Sequence, residues 1–104
     1  MLGDFNFHHP CENRNLENLK FDDLWLERHS HFSGITWDPS TNSLINVIYP
    51  FDDRKMRLDR ICLRPSTQVD LKEIMLTADR PMGKSFLYPS DHYALKATFA
   101  ISKC

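Results

Sequence analysis

Apolar and polar positions alternate in two registers along this chain, and each register marks a different kind of element. Between Asn18 and His29, Phe21, Leu24, Trp25 and Arg28 recur at three-and-four spacing while Asp22, Asp23 and Glu27 fall on the other side. That is the signature of an amphipathic helix, and the carboxylates in its first turns suit the positive end of the helix dipole. From Met56 to Arg64 the period is two: Arg57, Asp59, Ile61 and Leu63 share one face, and Leu58, Arg60, Cys62 and Arg64 the other. From His92 to Ile101, Tyr93, Leu95, Ala97, Phe99 and Ile101 form an apolar face, so a half-buried strand is predicted that begins at a histidine. Val69 to Leu76 is a weaker strand. Residues 37–53 and 77–89, which carry Pro39, Pro50, Pro81, Gly83 and Pro89, read as loops. The polar residues gather at strand ends and in these loops, where sites on a rigid sheet are usually built.

No repeat, low-complexity tract or linker interrupts the 104 residues, so one unit is expected, with a modest buried fraction. The composition is 41% hydrophobic and 26% charged, which excludes disorder as a description of the whole chain. A net charge of -1 argues against a partner held mainly by a strongly basic surface. The local cluster Arg54, Lys55, Arg57, Arg60 and Arg64 is read first as solvated charge around one strand. Cys11, Cys62 and Cys104 are odd in number and lack CxxC spacing. With no secretory leader pattern and no apolar run of membrane length, a reduced intracellular compartment is expected, nucleus or cytoplasm. His8, His9, Cys11, His29 and His31 show no recognised zinc-ligand spacing, and a polar loop accounts for them.

The chemistry-bearing residues come in ordered blocks. Gly3-Asp4-Phe5-Asn6 alone is ordinary turn chemistry, and Ser90-Asp91-His92 alone says as little. Between them lie Gly34-Ile35-Thr36-Trp37-Asp38-Pro39 with Asn42, and then Arg57-Leu58-Asp59-Arg60-Ile61. Taken together and in this order, the blocks resemble the C-terminal half of the endonuclease/exonuclease/phosphatase superfamily over nearly the whole chain. Within it, the Thr-Trp-Asp block and the Arg-Leu-Asp-Arg-Ile strand look most like the tyrosyl-DNA phosphodiesterase 2 branch.

The resemblance implies an α/β (α+β) fold, the C-terminal half of a four-layer α/β/β/α sandwich, with mostly one mixed or antiparallel sheet and one main helix. It implies an Mg2+-dependent (or Mn2+-dependent) phosphodiester hydrolase that removes adducts from DNA 5′ ends. Relatives cleave DNA, RNA or phospholipid phosphodiesters, and an inert fragment acting as a binding module is the other outcome. Asp4 would orient or deprotonate the attacking water, Asn6 would bond phosphate or water, and His92 would stabilise developing charge on a phosphate oxygen. Asp59 would fix the tautomer of His92 from its other ring nitrogen; the alternative partner for Asp59 is Arg57 or Arg60. Asp91 would support a metal-bound water or hold its own loop. Trp37 is either a core aromatic or a platform on which a terminal base stacks. Asn42 either contacts substrate or holds the loop's own backbone.

The family's main magnesium ligand, a glutamate, comes from the N-terminal half, and no residue here matches it. Met1 is therefore expected to be an internal methionine, and the missing half-domain or a second copy (a homodimer) to be the partner. Leaving the Tyr93 to Ile101 face in water would forfeit ~1.5–3 kcal/mol per large side chain, so the chain alone is expected to be marginal and of negligible turnover.

Overall fold

The computed structural model describes residues 1–29 and 33–102. The fold is mixed α+β, with its strands all antiparallel in two small sheets and only short helices. Strand β1 (Leu2–Asp4) is followed by a 3₁₀ turn (Pro10–Asn13) and helix α1 (Arg14–Asn18). A two-residue strand β2 (Asp22–Asp23) leads directly into α2 (Leu24–Arg28). Then come α3 (Ser43–Ile48), β3 (Asp59–Leu63), β4 (Val69–Thr77) and β5 (Ala94–Ile101).

Of the single helix expected from Asn18 to His29, only Leu24–Arg28 is helical; α1 ends at Asn18, where that helix is expected to begin. Lys20 adopts φ 60°, and the Lys20 and Phe21 N–H groups return to the carbonyls of Glu17 and Leu16 at 3.0 Å each. This pair of bonds is a Schellman closure, which ends α1. The freed backbone of Asp22 and Asp23 pairs instead with Leu63 and Cys62 of β3. The expected apolar stripe survives only in part: Leu24 and Trp25 are buried, whereas exposed Arg28 donates from Nη2 to the carbonyls of Leu71 and Lys72.

The expected single sheet is also two. In the first, β3 is central, with Leu2, Gly3 and Asp4 opposite Ile61, Arg60 and Asp59 on one edge and β2 on the other. The alternation foreseen for this segment holds, since Met56, Leu58, Arg60 and Cys62 are buried and the residues between them are half-buried. Regular pairing begins only at Asp59; Met56 is a lone bridge to Trp37. The second sheet is the long β4–β5 hairpin, with Val69 opposite Ile101 and Thr77 opposite Ala94 and one irregularity between Leu71 and Glu73. The weaker strand prediction was thus sound, because β4 has β5 as its partner along its whole length. Of the residues read as loop, 78–89 are one, Thr77 closes β4, and residues 37–53 contain α3. Asn42 caps it by accepting the Leu44 N–H at 3.0 Å, and Ile45 anchors it with no exposed surface.

Two apolar clusters form the core. One joins Trp37, Ile45, Met56 and Leu58; the other joins Leu24, Trp25 and Ile74, with Ile61, Leu63, Leu95 and Ala97 packed against it. On β5, Leu95 and Ala97 pack against this second cluster, while the end of the strand is bare, with Ile101 76% exposed. The projecting hairpin explains a radius of gyration of 15.3 Å, against about 13 Å for a compact chain of 100 residues. No described helix is long and apolar enough to cross a membrane.

Gly34 is the point where the loop before Trp37 touches the second cluster. Its φ is +62°, and a Cβ there would lie 2.5 Å from Nε1 of buried Trp25. Gly34→Ala should therefore destabilise the chain by about 1–3 kcal/mol, through a left-handed backbone and an overfilled contact. Urea unfolding checks this, and an unchanged midpoint would show that the contact is slack.

Candidate hydrolytic site

Antiparallel register sets two acids face to face. Asp4 at the end of β1 pairs directly with Asp59 at the start of β3, and like charges across an antiparallel pair repel unless a cation is supplied. His92 supplies it. Its Nδ1–H donates to Asp59 Oδ2 at 2.6 Å, and its Nε2 stands 4.0 Å from Asp4 Oδ2. An ionised carboxylate only accepts, so Asp59 fixes the proton on Nδ1 and leaves Nε2 facing Asp4. Burial pulls the imidazole pKa down, but the bond and charge of Asp59, with the fields of Asp4 and Asp91, outweigh it. The net result is a pKa above the ordinary histidine value.

Asn6 follows Asp4 in a left-handed turn, with φ 53° and its N–H on Asp4 Oδ1 at 2.8 Å. Asn6 Oδ1 contacts His8 Nε2 at 2.7 Å, and His8 Nδ1 faces Arg54 Nη1 at 3.3 Å. A guanidinium only donates, so His8 accepts at Nδ1 and donates from Nε2 to Asn6. This leaves the exposed Asn6 amide with its Nδ2 donors turned to other work.

His92 lies in a bend two residues ahead of β5, outside the strand expected to begin with it. Four groups hold this bend. Ser90 Oγ accepts the His92 N–H at 3.1 Å, and Asn42 Nδ2 donates to the carbonyls of Ser90 and Asp91 at 2.9 and 3.3 Å. The Thr36 carbonyl accepts the Tyr93 N–H at 2.7 Å, and the Trp37 ring stands edge-on to the imidazole at 5.4 Å.

Asp4, Asn6, Asp59 and His92 are thus brought to one place, and the remaining candidates are not. Asn42 has no exposed surface and spends its amide on Leu44, Ser90 and Asp91, which corrects the option of direct substrate contact to loop holding. Trp37 is 7% exposed, with Tyr49 at 5.5 Å and His92 on another side, so it is core and no open stacking platform. Asp91 is half-buried beside Ser90 Oγ at 3.4 Å and stands outside the acid–histidine cluster. The basic cluster is likewise corrected in part. Arg57 and Arg60 converge on Asp23 at 2.9 and 3.2 Å, Arg54 pairs with Asp52, and Arg64 lies over Phe21. Arg57 and Arg60 are thus enclosed ion-pair partners of Asp23, whereas Arg54, Lys55 and Arg64 stay exposed, as solvated charge. Asp59, freed from them, takes His92.

Among the described residues, Asp4, Asp59 and His92 are also the one group of three or more such side chains close enough to hold a metal ion, with ligand atoms within 4.8 Å of one another. The donor set does not fit magnesium. A hard cation wants several oxygens, whereas Asp59 and Nδ1 are committed to each other and a histidine held towards its charged form repels a cation. One free carboxylate, Asp4, remains. Among the described residues zinc has no better site: His8 is engaged with Asn6, His29 Nε2 donates to the Ile74 carbonyl at 2.6 Å, and His31 and Cys104 lie outside the described residues. Burial pushes the Cys62 thiol up to about 11, so it is neither thiolate ligand nor nucleophile.

In the sequence Thr36 stands only as part of its block and Asp23 only as a helix carboxylate, and neither is given a role. A hydroxyl and an acid in short apolar surroundings carry no periodic signal; only their distant partners identify them. A cavity of about 390 Å3 lies by Arg28 and Arg64 away from this chemistry, while one of about 230 Å3 has Asp59 in its wall beside Leu2, Gly3 and Leu95. No family model matches the chain, and no curated protein matches it.

Proposed function

We propose that Asp4, Asn6, Asp59 and His92 form the water- and phosphate-handling part of a phosphodiester hydrolase site of the endonuclease/exonuclease/phosphatase kind. The observation that supports it is the imidazole held at 2.6 Å by Asp59 with its Nε2 4.0 Å from Asp4. That gap is wider than a hydrogen bond of about 2.8 Å, yet narrow enough for one oxygen atom to touch both groups.

In this proposal Asp4 accepts a proton as water attacks phosphorus, the P–O bond to the leaving oxygen breaks and that oxygen takes its proton from solvent. His92 stabilises the charge that develops on a non-bridging oxygen. Asn6 Nδ2 donates to the phosphate, and Asp59 keeps the imidazole oriented and favours its charged form. Any Mg2+ (or Mn2+) takes most of its ligands from outside this chain, from an N-terminal half-domain or a second copy. The finer reading is a tyrosyl-DNA phosphodiesterase 2-like enzyme acting on adducts at DNA 5′ ends.

The test is hydrolysis of bis(p-nitrophenyl) phosphate in Mg2+ by the wild type, Asp4→Ala and His92→Ala. For the chain alone turnover close to background is expected, and whatever exceeds the uncatalysed rate should be lost in both variants. Equal rates in all three proteins would overturn the assignment. A wild type that binds a 5′-tyrosyl oligonucleotide without cleaving it would make the chain a binding module.

A further inference from the structure

The Gly34-Ile35-Thr36-Trp37 block contributes a residue that the hydrolytic proposal leaves without a task. Thr36 has no exposed surface, and its polar atoms reach both halves of the site. Its Oγ1 accepts the N–H groups of Leu58 at 3.1 Å and Asp59 at 3.2 Å. Its carbonyl accepts the N–H of Tyr93, the residue after His92, at 2.7 Å. Its own N–H donates to the Met56 carbonyl at 3.1 Å.

The location explains the need for a hydroxyl. Met56 bridges to Trp37 and β3 begins at Asp59, so the chain between them leaves the ladder. The N–H groups of Leu58 and Asp59 turn to Thr36 there, while the Leu58 carbonyl serves the Phe5 N–H, and buried N–H groups must find an acceptor. One oxygen serves both. A short chain of bonds therefore runs from the Asp59 amide through Thr36 to the Tyr93 amide, and the Asp59–His92 hydrogen bond closes the loop.

We propose that Thr36 is the positioning residue of the site, its side-chain hydroxyl and main-chain carbonyl together fixing how far Asp59 stands from His92. Asn42, bonded to the Ser90 and Asp91 carbonyls, restrains the same bend from the other side. The inference rests on reading Asp59 and His92 as a working pair, and Thr36 itself meets neither water nor phosphate.

Thr36→Val keeps the shape and removes the acceptor; Thr36→Ser keeps the acceptor. The pair is followed by NMR titration of His92, whose surroundings are Asp59, Asp4, Asp91 and the Trp37 ring. In Thr36→Val the His92 midpoint should fall by about one pH unit, a tenfold weakening of its preference for the charged form. Bis(p-nitrophenyl) phosphate hydrolysis should fall at least in proportion, and Thr36→Ser should restore both to within a factor of a few. A folded Thr36→Val with the wild-type midpoint would overturn the inference, as would a Thr36→Ser that behaves like Asp59→Asn. Should Thr36→Val not fold, Thr36→Cys, a weak acceptor of similar size, takes its place with the same expectation. If Asp59→Asn lowers the midpoint but hydrolysis ignores it, the hydrolytic proposal fails while the positioning role stands.

Discussion

Asp23→Ala is expected to cost about 3–5 kcal/mol, the usual effect of removing one partner from a buried ion pair. Arg57 contacts both oxygens of Asp23 at 2.9 Å, and Arg60 adds a third bond at 3.2 Å. All three side chains are largely enclosed, with 8% of Asp23, 13% of Arg57 and 5% of Arg60 exposed. Removing the acid leaves two guanidiniums side by side away from water, each Nε already lacking an acceptor. Burial and the neighbouring charge of Arg57 already draw Arg60 below its ordinary pKa, and Asp23 is what opposes them. The loss is comparable with the whole stability of a small domain, ~5–15 kcal/mol, so much of the chain should be unfolded. Asp23 is also the residue before α2, but its carboxylate makes no capping bond, so the effect is electrostatic. Breaking the solvent-exposed Lys72–Asp70 pair, of similar length at 2.8 Å, should leave the urea midpoint where it is. Two variants with the same small change would remove Asp23 from this role.

Asp59→Asn should have the largest effect on the site. The asparagine cannot carry the charge that holds His92 towards imidazolium, so hydrolysis should fall by at least ~10-fold, towards the 10²–10⁴-fold range of acid–base losses. Stability should report the same bond through pH. His92 has a raised folded-state pKa, so its contribution is complete below the unfolded value of about 6.5 and disappears as pH climbs through the folded value. The stability difference between wild type and Asp59→Asn should therefore be greatest near pH ~5.5 and shrink towards pH ~9. A difference that is flat, or that grows with pH, would mean that Asp59 does not stabilise a charged His92.

Local pattern carried some elements well. The alternation of Met56 to Arg64 and of Tyr93 to Ile101 is visible in the sequence because each side chain responds to one buried and one wetter face. Trp25 was assignable to the core from its spacing with Phe21 and Leu24. The helix break at Lys20 was hidden, because a lysine in the left-handed region carries no glycine flag and the competing pull came from β3, some forty residues away. The α3 helix escaped because six residues are too few for a period, although Asn42 before Ser43 was its one local sign.

The candidate site was legible as a set of residue types in order: Asp4 with Asn6, Asp59 on an alternating strand, and His92 before an apolar strand. What the amino-acid sequence by itself determined was this inventory, and the strand face on which Asp59 had to lie. The tertiary structure decided the pairings. It set Asp4 opposite Asp59, gave Arg57 and Arg60 to Asp23, turned Trp37 and Asn42 inward, and placed Thr36 between the two halves. The physical reason is that a carboxylate pairs with whichever cation the register brings within about 3–4 Å. Register is a property of two strands that meet, and neither strand specifies it alone.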